Sequence, residues 1–219
     1  MFGRLSAQSR ARKLKLFYRL LRPTAADRIV DIGGESDANG GTLQLCDSYP
    51  WKHRLAVLNY DKAALSVVAG AHPQVRTVAA DARCLPFANK SCDIAYSNAV
   101  IEHLGTWHSQ RAMADEVQRV AIRWFIATPN RWFPFEFHCR LPLVSWLPPG
   151  LRAHVTRLIC WNHVLQRYTT GIEMREIRLL TGRELARLFP DSIILHLRVT
   201  FWPEVLVAIG PITRLECRL

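Results

Sequence analysis

The chain has no apolar run long enough to cross a bilayer. Its longest uncharged apolar stretch, Leu141 to Leu151, holds three prolines and falls short of the roughly 20 residues a spanning helix needs. Paired cysteines are also missing. The six present (Cys46, Cys84, Cys92, Cys139, Cys160 and Cys217) are scattered, with no CxxC spacing and no Cys/His grouping of zinc type. Neither a disulfide framework nor a metal site is therefore expected, and reduced thiols in a cytoplasmic protein are the simplest reading. Residues 1–26 contain no acid at all and seven Lys or Arg. The segment Leu14 to Leu21 is broken by Lys15 and Arg19 and lacks the apolar run and cleavage site of a signal peptide, so export is not expected. Internal repeats and low-complexity tracts are absent as well.

What is present suits a soluble α/β domain. At 219 residues with 49% hydrophobic content, the chain can bury a sizeable core. Lys and Arg outnumber Asp and Glu by 29 to 18, a net charge of +11, which favours an anionic contact: a membrane surface, a phosphorylated substrate or nucleic acid. Within residues 1–26, Leu14, Phe17, Tyr18 and Leu21 recur at helical spacing. This predicts a basic amphipathic helix that either docks on an anionic membrane surface or packs its apolar face on the domain. Residues 27–219 form the main domain.

Apolar segments then alternate in type. Arg28–Ile32, Arg54–Tyr60, Val75–Ala79, Ile94–Ser97 and Ile122–Ala127 read as strands, with Thr42–Tyr49, Lys62–Val68 and Trp107–Val120 as helices between them. Such alternation implies a parallel sheet with helices on both faces, a Rossmann-like arrangement. Ser192–Val199 and Glu204–Ile209 are too close for a crossover helix and read as an antiparallel pair. Between them and the fifth strand, at about 131–180, lies an insertion dense in Trp, Phe, Pro, His and Arg. Residues 131–188 hold nine Arg, no Lys and four Glu. Thr181-Gly-Arg-Glu184 then reads as a capping box, with Leu180 and Leu185 as its hydrophobic staple.

In an open parallel sheet, ligands bind beyond the carboxyl ends of the strands. The loops there read Ile29-Val-Asp-Ile-Gly-Gly34, Asp61 after the second strand, and Asp81-Ala-Arg-Cys-Leu-Pro-Phe87. Ser91-Cys-Asp-Ile-Ala-Tyr-Ser-Asn-Ala-Val-Ile-Glu-His-Leu104 and Thr128-Pro-Asn130 complete the series. Together these resemble the class I S-adenosylmethionine-dependent methyltransferases. The resemblance implies a seven-stranded sheet ending in an antiparallel pair, with S-adenosyl-L-methionine as cofactor. Its binding residues would be Asp31, Gly33 and Gly34 in the first loop, Asp61 on the ribose hydroxyls, and Asp81 and Ala82 on the adenine. Ser97 and Asn98 would lie beneath the sulfonium methyl. From the residues alone, Asp61 also suits a helix N-cap and Asp81 a turn. Glu35 and Asp37 stand where the family has further glycines, and Gly40 and Gly41 follow later. Added carboxylates would repel a pyrophosphate but suit a sulfonium and an amine.

The run Thr128 to His138, continued by Leu141 to Pro148, resembles a subgroup of bacterial methyltransferases found among enzymes of surface polysaccharide and lipid-linked glycan synthesis. This implies a small-molecule or glycan-type acceptor, perched on the insertion, and a cytoplasmic protein at or near the inner membrane face. A hydroxyl acceptor needs a general base, for which His103, Glu136 and His138 are candidates. Two alternatives remain at this stage: a nucleic-acid methyltransferase, prompted by the charge, and a non-catalytic binding subunit that keeps the fold. The chain has no Asn-Pro-Pro-Tyr-type amino-methylation motif.

Overall fold

The computed structural model describes residues 2–36, 43–162, 164–172, 177–198 and 202–215. Asp37, Gly40, Gly41, Thr42 and Val199, which the sequence reading assigns to the first loop and to element ends, lie outside the described residues. The strands are β1 (Ile29–Ile32), β2 (Leu55–Asn59), β3 (Arg76–Ala79), β4 (Cys92–Asn98) and β5 (Ala121–Pro129). Two small ribbons follow, β6 (Phe135–Glu136) with β7 (Leu141–Pro142) and β8 (Cys160–Asn162) with β9 (Arg167–Thr169). The chain then forms β10 (Ile193–Arg198) and β11 (Pro203–Gly210). The helices are α1 (Phe2–Leu21), α2 (Leu45–Ser48), α3 (Lys62–Ala71), α4 (Trp107–Val120), α5 (Pro149–Leu158), α6 (Gly182–Leu188) and α7 (Ile212–Leu215).

Seven strands make one sheet in the order β10-β11-β5-β4-β1-β2-β3. The five strands from β1 to β5 pair in parallel. β11 runs antiparallel against both β5 and β10, as expected for a hairpin too short to hold a crossover. Strand order reverses between β1 and β4, so a crevice opens beyond their carboxyl ends.

Alternation along the strands divides the core in two. Val205, Val207 and Ile209 of β11 face one layer with Phe125 and Ala127 of β5, Ile94 and Tyr96 of β4, and Leu65 and Val68 of α3. Leu206 and Ala208 face the other, with Trp124, Ile126, Ala95 and the Met113, Val117 and Val120 stripe of α4. The period of two in the strands and of about 3.6 in the helix accounts for both layers. Leu180 and Leu185 lie in the second layer, and Thr181 and Glu184 close the capping box at the start of α6. The helix expected over Thr42–Tyr49 is a single turn at Leu45–Ser48. Pro50 disfavours helical backbone at Tyr49, which is extended.

The N-terminal helix belongs to the core. Leu14, Leu16, Phe17 and Leu21 are buried in the first layer. The Phe17 ring meets Tyr96 edge-on at 5.1 Å and Phe125 at 5.7 Å. The buried Arg123 guanidinium of β5 donates to the Leu21 carbonyl at 2.6 Å and to Asp27 at 2.6 Å. It thereby satisfies a carbonyl that the helix end leaves without an internal partner. No helix among the described residues is long and apolar enough to cross a membrane. Phe17→Ala should therefore destabilise the fold by about 3–5 kcal/mol, as for other buried aromatic truncations. Urea unfolding measures this directly, and a loss below about 1 kcal/mol would make the helix a peripheral attachment.

Candidate active site

Two pockets flank the β1/β4 crevice. The first, ≈ 380 Å³, is lined by Gly33, Leu58, Ala80, Asp81, Val100 and His103, among others. Gly33 turns the chain with φ +74, and its N–H donates to the Leu58 carbonyl at 2.6 Å. A Cβ on Gly34 would sit 2.6 Å from Asp31 Oδ2 and 3.0 Å from Val57. Glycine is thus required by close approach as well as by turning. Asn59 ties the loops together: its Nδ2 donates to the Gly34 carbonyl at 3.0 Å, and its Oδ1 accepts from the Asp61 N–H at 3.0 Å. The sequence reading passed over Asn59. Its signal was a polar residue ending an otherwise apolar strand.

The expected cofactor residues divide between those that line the first pocket and those that support it. Asp81 and Ala82 line the first pocket. The Asp81 carboxylate is held by Arg83, which donates from Nη2 at 2.6 Å and from its backbone N–H at 2.8 Å. This hydrogen bonding keeps the Asp81 carboxyl below its ordinary value. Asp61 is exposed and caps α3, accepting from the Ala63 N–H at 2.8 Å, so the capping role is realised. Ser97 is fully buried and donates to the Ile32 carbonyl at 3.0 Å. It fastens β4 to β1 and lines neither pocket. Asn98 lies on the other side of the crevice, where its Oδ1 accepts from Lys13 Nζ at 2.5 Å.

Asn98 belongs to the second pocket, ≈ 340 Å³, walled by Phe133, Phe135 and Phe137 and bordered by Arg10, Lys13, Glu102, His138 and Glu204. Phe133 and Phe137 stack at 5.3 Å and 7°. Helix α1 roofs this pocket through Ser9, Arg10 and Lys13. Burial, then the nearby Arg10 charge, lowers the Lys13 ammonium to about 8. The aromatics of the insertion do not act alike. Trp132, Trp146 and Tyr168 are exposed, and Arg131 lies over the Trp132 ring at 5.9 Å, whereas the three phenylalanines face the pocket.

The three base candidates converge where the pockets meet. Glu136 is buried, and its carboxylate accepts from His138 Nδ1 at 2.6 Å and from the Cys139 N–H at 2.7 Å. Burial alone would raise Glu136, but these partners hold it below its ordinary value. Likewise burial would lower His138, while Glu136 and then Glu102 hold it above. His103, exposed on the first-pocket side, meets the His138 ring edge-on at 5.0 Å. Desolvation of its inner side and the His138 charge push its imidazole down. Beside them Glu102 is wholly buried. One carboxylate oxygen accepts from Thr128 Oγ1 at 3.0 Å and the other, Oε1, has no partner. Burial raises its carboxyl above the ordinary value.

Asp31, 3% exposed, is raised by burial, then by Glu35 and Asp47, to about 8. The folded chain keeps this proton between the ordinary value of 3.8 and about 8, where the unfolded chain has lost it. Stability should therefore fall as pH rises through that window and level off above it. Asp31→Asn should fall less steeply, leaving the part of the slope owed to Glu102. Thermal unfolding midpoints in a buffer series give the comparison, and parallel curves for the two proteins would reject the buried acid as the cause.

These residues fit the cofactor that the loops imply. Close-approach glycines, an acid at the pocket edge and the apolar faces of Leu58, Val100 and Leu104 suit an adenosyl group. Comparison with known proteins agrees. Residues 37–123 match the profile of the methyltransferase domain family. A probable S-adenosylmethionine-dependent methyltransferase of Mycobacterium tuberculosis, MT3114, is 28% identical over 122 residues, 55% of this chain and 42% of that protein. The chain thus spans less than half the length of the curated relatives it matches. PH0226 protein from Pyrococcus horikoshii shares the fold at TM-score 0.60 and 13% identity, over 92% of this chain and 89% of the other. So does a Burkholderia thailandensis 1,6-didemethyltoxoflavin-N1-methyltransferase solved with S-adenosylhomocysteine. Its TM-score is 0.53 and its identity 16%, over 93% of this chain and 77% of the other. The sheet order is that of the class I S-adenosylmethionine-dependent methyltransferase fold, and the segment that carries the crevice loops matches the methyltransferase domain over residues 37–123.

Proposed function

We propose that this chain transfers the methyl group of S-adenosylmethionine to a hydroxyl of a small-molecule or glycan-type acceptor. The observation that carries the reading is the meeting of two pockets at Glu102, His103 and His138, one suited to the cofactor and the other walled by aromatic faces. The cofactor supplies a methyl group already activated by its sulfonium, so alignment is the protein's principal task.

Gly33, Gly34 and Asn59 shape the cofactor loop, Asp81 and Ala82 offer the polar edge, and Leu58 and Val100 exclude water. On the other side, Phe133, Phe135 and Phe137 offer flat faces to a ring, with Lys13 and Arg10 placed for an anionic substituent such as a phosphate. A volume of ≈ 340 Å³ suits one ring-sized group. Side chains at the junction that can take up a proton, or hold a cation that acidifies one, favour a nucleophile that must lose a proton, hence a hydroxyl. Glu136, engaged by His138 and Cys139, orients the imidazole.

Incubation of the chain with methyl-labelled S-adenosylmethionine and a panel of sugars, sugar phosphates and lipid-linked glycans tests this. Label in a product is the expected result. Absence of S-adenosylmethionine binding by calorimetry would overturn the catalytic reading in favour of a non-catalytic scaffold. Asp81→Ala should weaken cofactor affinity about 5- to 150-fold, equivalent to ~1–3 kcal/mol. Unchanged affinity in the folded variant would take Asp81 out of the adenine edge. Lys13→Ala should chiefly raise the acceptor's KM with little change in cofactor affinity, and an unaltered KM would remove Lys13 from acceptor binding.

A further inference from the structure

Two groups of three potential ligand side chains lie close together among the described residues. Cys46, Asp47 and His72 form one, but its members already satisfy one another. His72 Nε2 pairs with Asp47 at 2.8 Å, and Lys52 Nζ meets His72 Nδ1 at 3.1 Å. The second is Glu102, His103 and His138, whose ligand atoms all lie within 4.8 Å of one another. Here Glu102 is 0% exposed with Oε1 unpartnered. A carboxylate oxygen in that position lacks the compensation that burial ordinarily demands.

We infer that Glu102, His103 and His138 form a binding site for one divalent transition-metal cation at the junction of the two pockets. Two imidazoles and one carboxylate are a donor set for Zn, Fe, Co or Ni, with positions left open for another ligand. Bonds of about 2 Å to each donor require the three ligand atoms, which lie within 4.8 Å of one another, to draw together around the ion. The surroundings are those of a ligating histidine. His138 Nδ1 donates to Glu136 at 2.6 Å, the kind of outer hydrogen bond that orients a ligating histidine. Glu136 is in turn held by the Cys139 N–H at 2.7 Å, and Thr128 fixes the other oxygen of Glu102 at 3.0 Å.

The site's placement gives it a role, which rests on the reading of methyl transfer above. His103 lines the cofactor pocket while Glu102 and His138 line the aromatic one. A cation there faces the acceptor hydroxyl and lowers its pKa as a Lewis acid. The O–H proton passes to a water molecule, the methyl–oxygen bond forms and the methyl–sulfur bond breaks, with its electron pair remaining on sulfur.

The test begins without cofactor or acceptor, so its outcome is independent of the methyl-transfer reading. The purified full chain is stripped with a chelator, then titrated with Co(II), followed by ligand-field absorption, and with Zn(II) in equilibrium dialysis. One saturable cation per chain is expected. His138→Ala, His103→Ala and Glu102→Gln should each weaken binding at least 10-fold, and Glu136→Gln, which removes the carboxylate that supports His138, about 10- to 100-fold. His72→Ala and His108→Ala should leave the stoichiometry at one. His103 is exposed, so its variant carries the test should Glu102→Gln fail to fold. No binding by the wild type up to ~1 mM, or equal binding by the His103 and His138 variants, overturns the site. Once an acceptor is known, chelation should abolish turnover and Co(II) restore it. Turnover indifferent to chelation would leave His138 and Glu136 as a metal-free base pair and refute the proposed role.

Discussion

The pairing of β1 with β4 is the constraint on which the rest depends. Ile29 to Ile32 lie beside Ile94 to Ser97 in parallel register, yet most of two strands and two helices separate them in sequence. Because strand order reverses at this pair, a crevice opens beyond the carboxyl ends of β1 and β4, with Val100 after β4 packed on Gly33 after β1. Both pockets descend from that gap. Ser97, bonded to the Ile32 carbonyl at the lip of the crevice, ties the two edges together, so the spacing of the crevice is set by the sheet itself.

Around this gap the buried polar groups are of two kinds. Arg123 is matched at both ends, by Asp27 and by the Leu21 carbonyl, and serves the architecture. Glu102, Asp31 and Lys13 are buried with their charged forms disfavoured, and all three border the crevice. Burying a group that prefers water is costly unless something compensates. Asp31 and Glu102 stand close to the ends of β1 and β4, and Lys13 of α1 reaches Asn98 there. That is where perturbed titration and function usually coincide.

Much of this was legible in the residues. Alternation along each strand, the Thr181–Glu184 cap and the apolar stripe of α4 are local signals, and each describes a structure made by near neighbours. Asp81 and the paired Gly33 and Gly34 were legible because turn chemistry is local too. The second pocket was not. Helical spacing in α1 identifies Leu14, Phe17 and Leu21 as an inward face but says nothing of what lies opposite, so Arg10 and Lys13 read as surface charge. Phe135 and Phe137 were equally readable as cap core, because periodicity carries no information about a cavity. The meeting of His103 with His138 depends on how the insertion folds back over β5, a tertiary fact with no local trace. Arg83 illustrates the converse. It stands two residues from Asp81, and only the turn geometry brings its guanidinium round to the carboxylate.

The roof formed by α1 has a consequence for the order of assembly. Arg12 bonds to the Arg198 carbonyl, 186 residues away, and Arg123 reaches Leu21 across 102. Contacts of such long sequence separation form late, because the chain entropy between them must be lost before they give anything back. The helix finds its apolar seat only after β5 and β11 exist, and until then its leucines and Phe17 stay open to other surfaces. An amino-terminal run with seven cations and no acid is well suited to that interval, since mutual repulsion keeps waiting copies of the helix apart. The same charge that invites thoughts of an anionic partner in the finished protein thus has a use before the protein is finished.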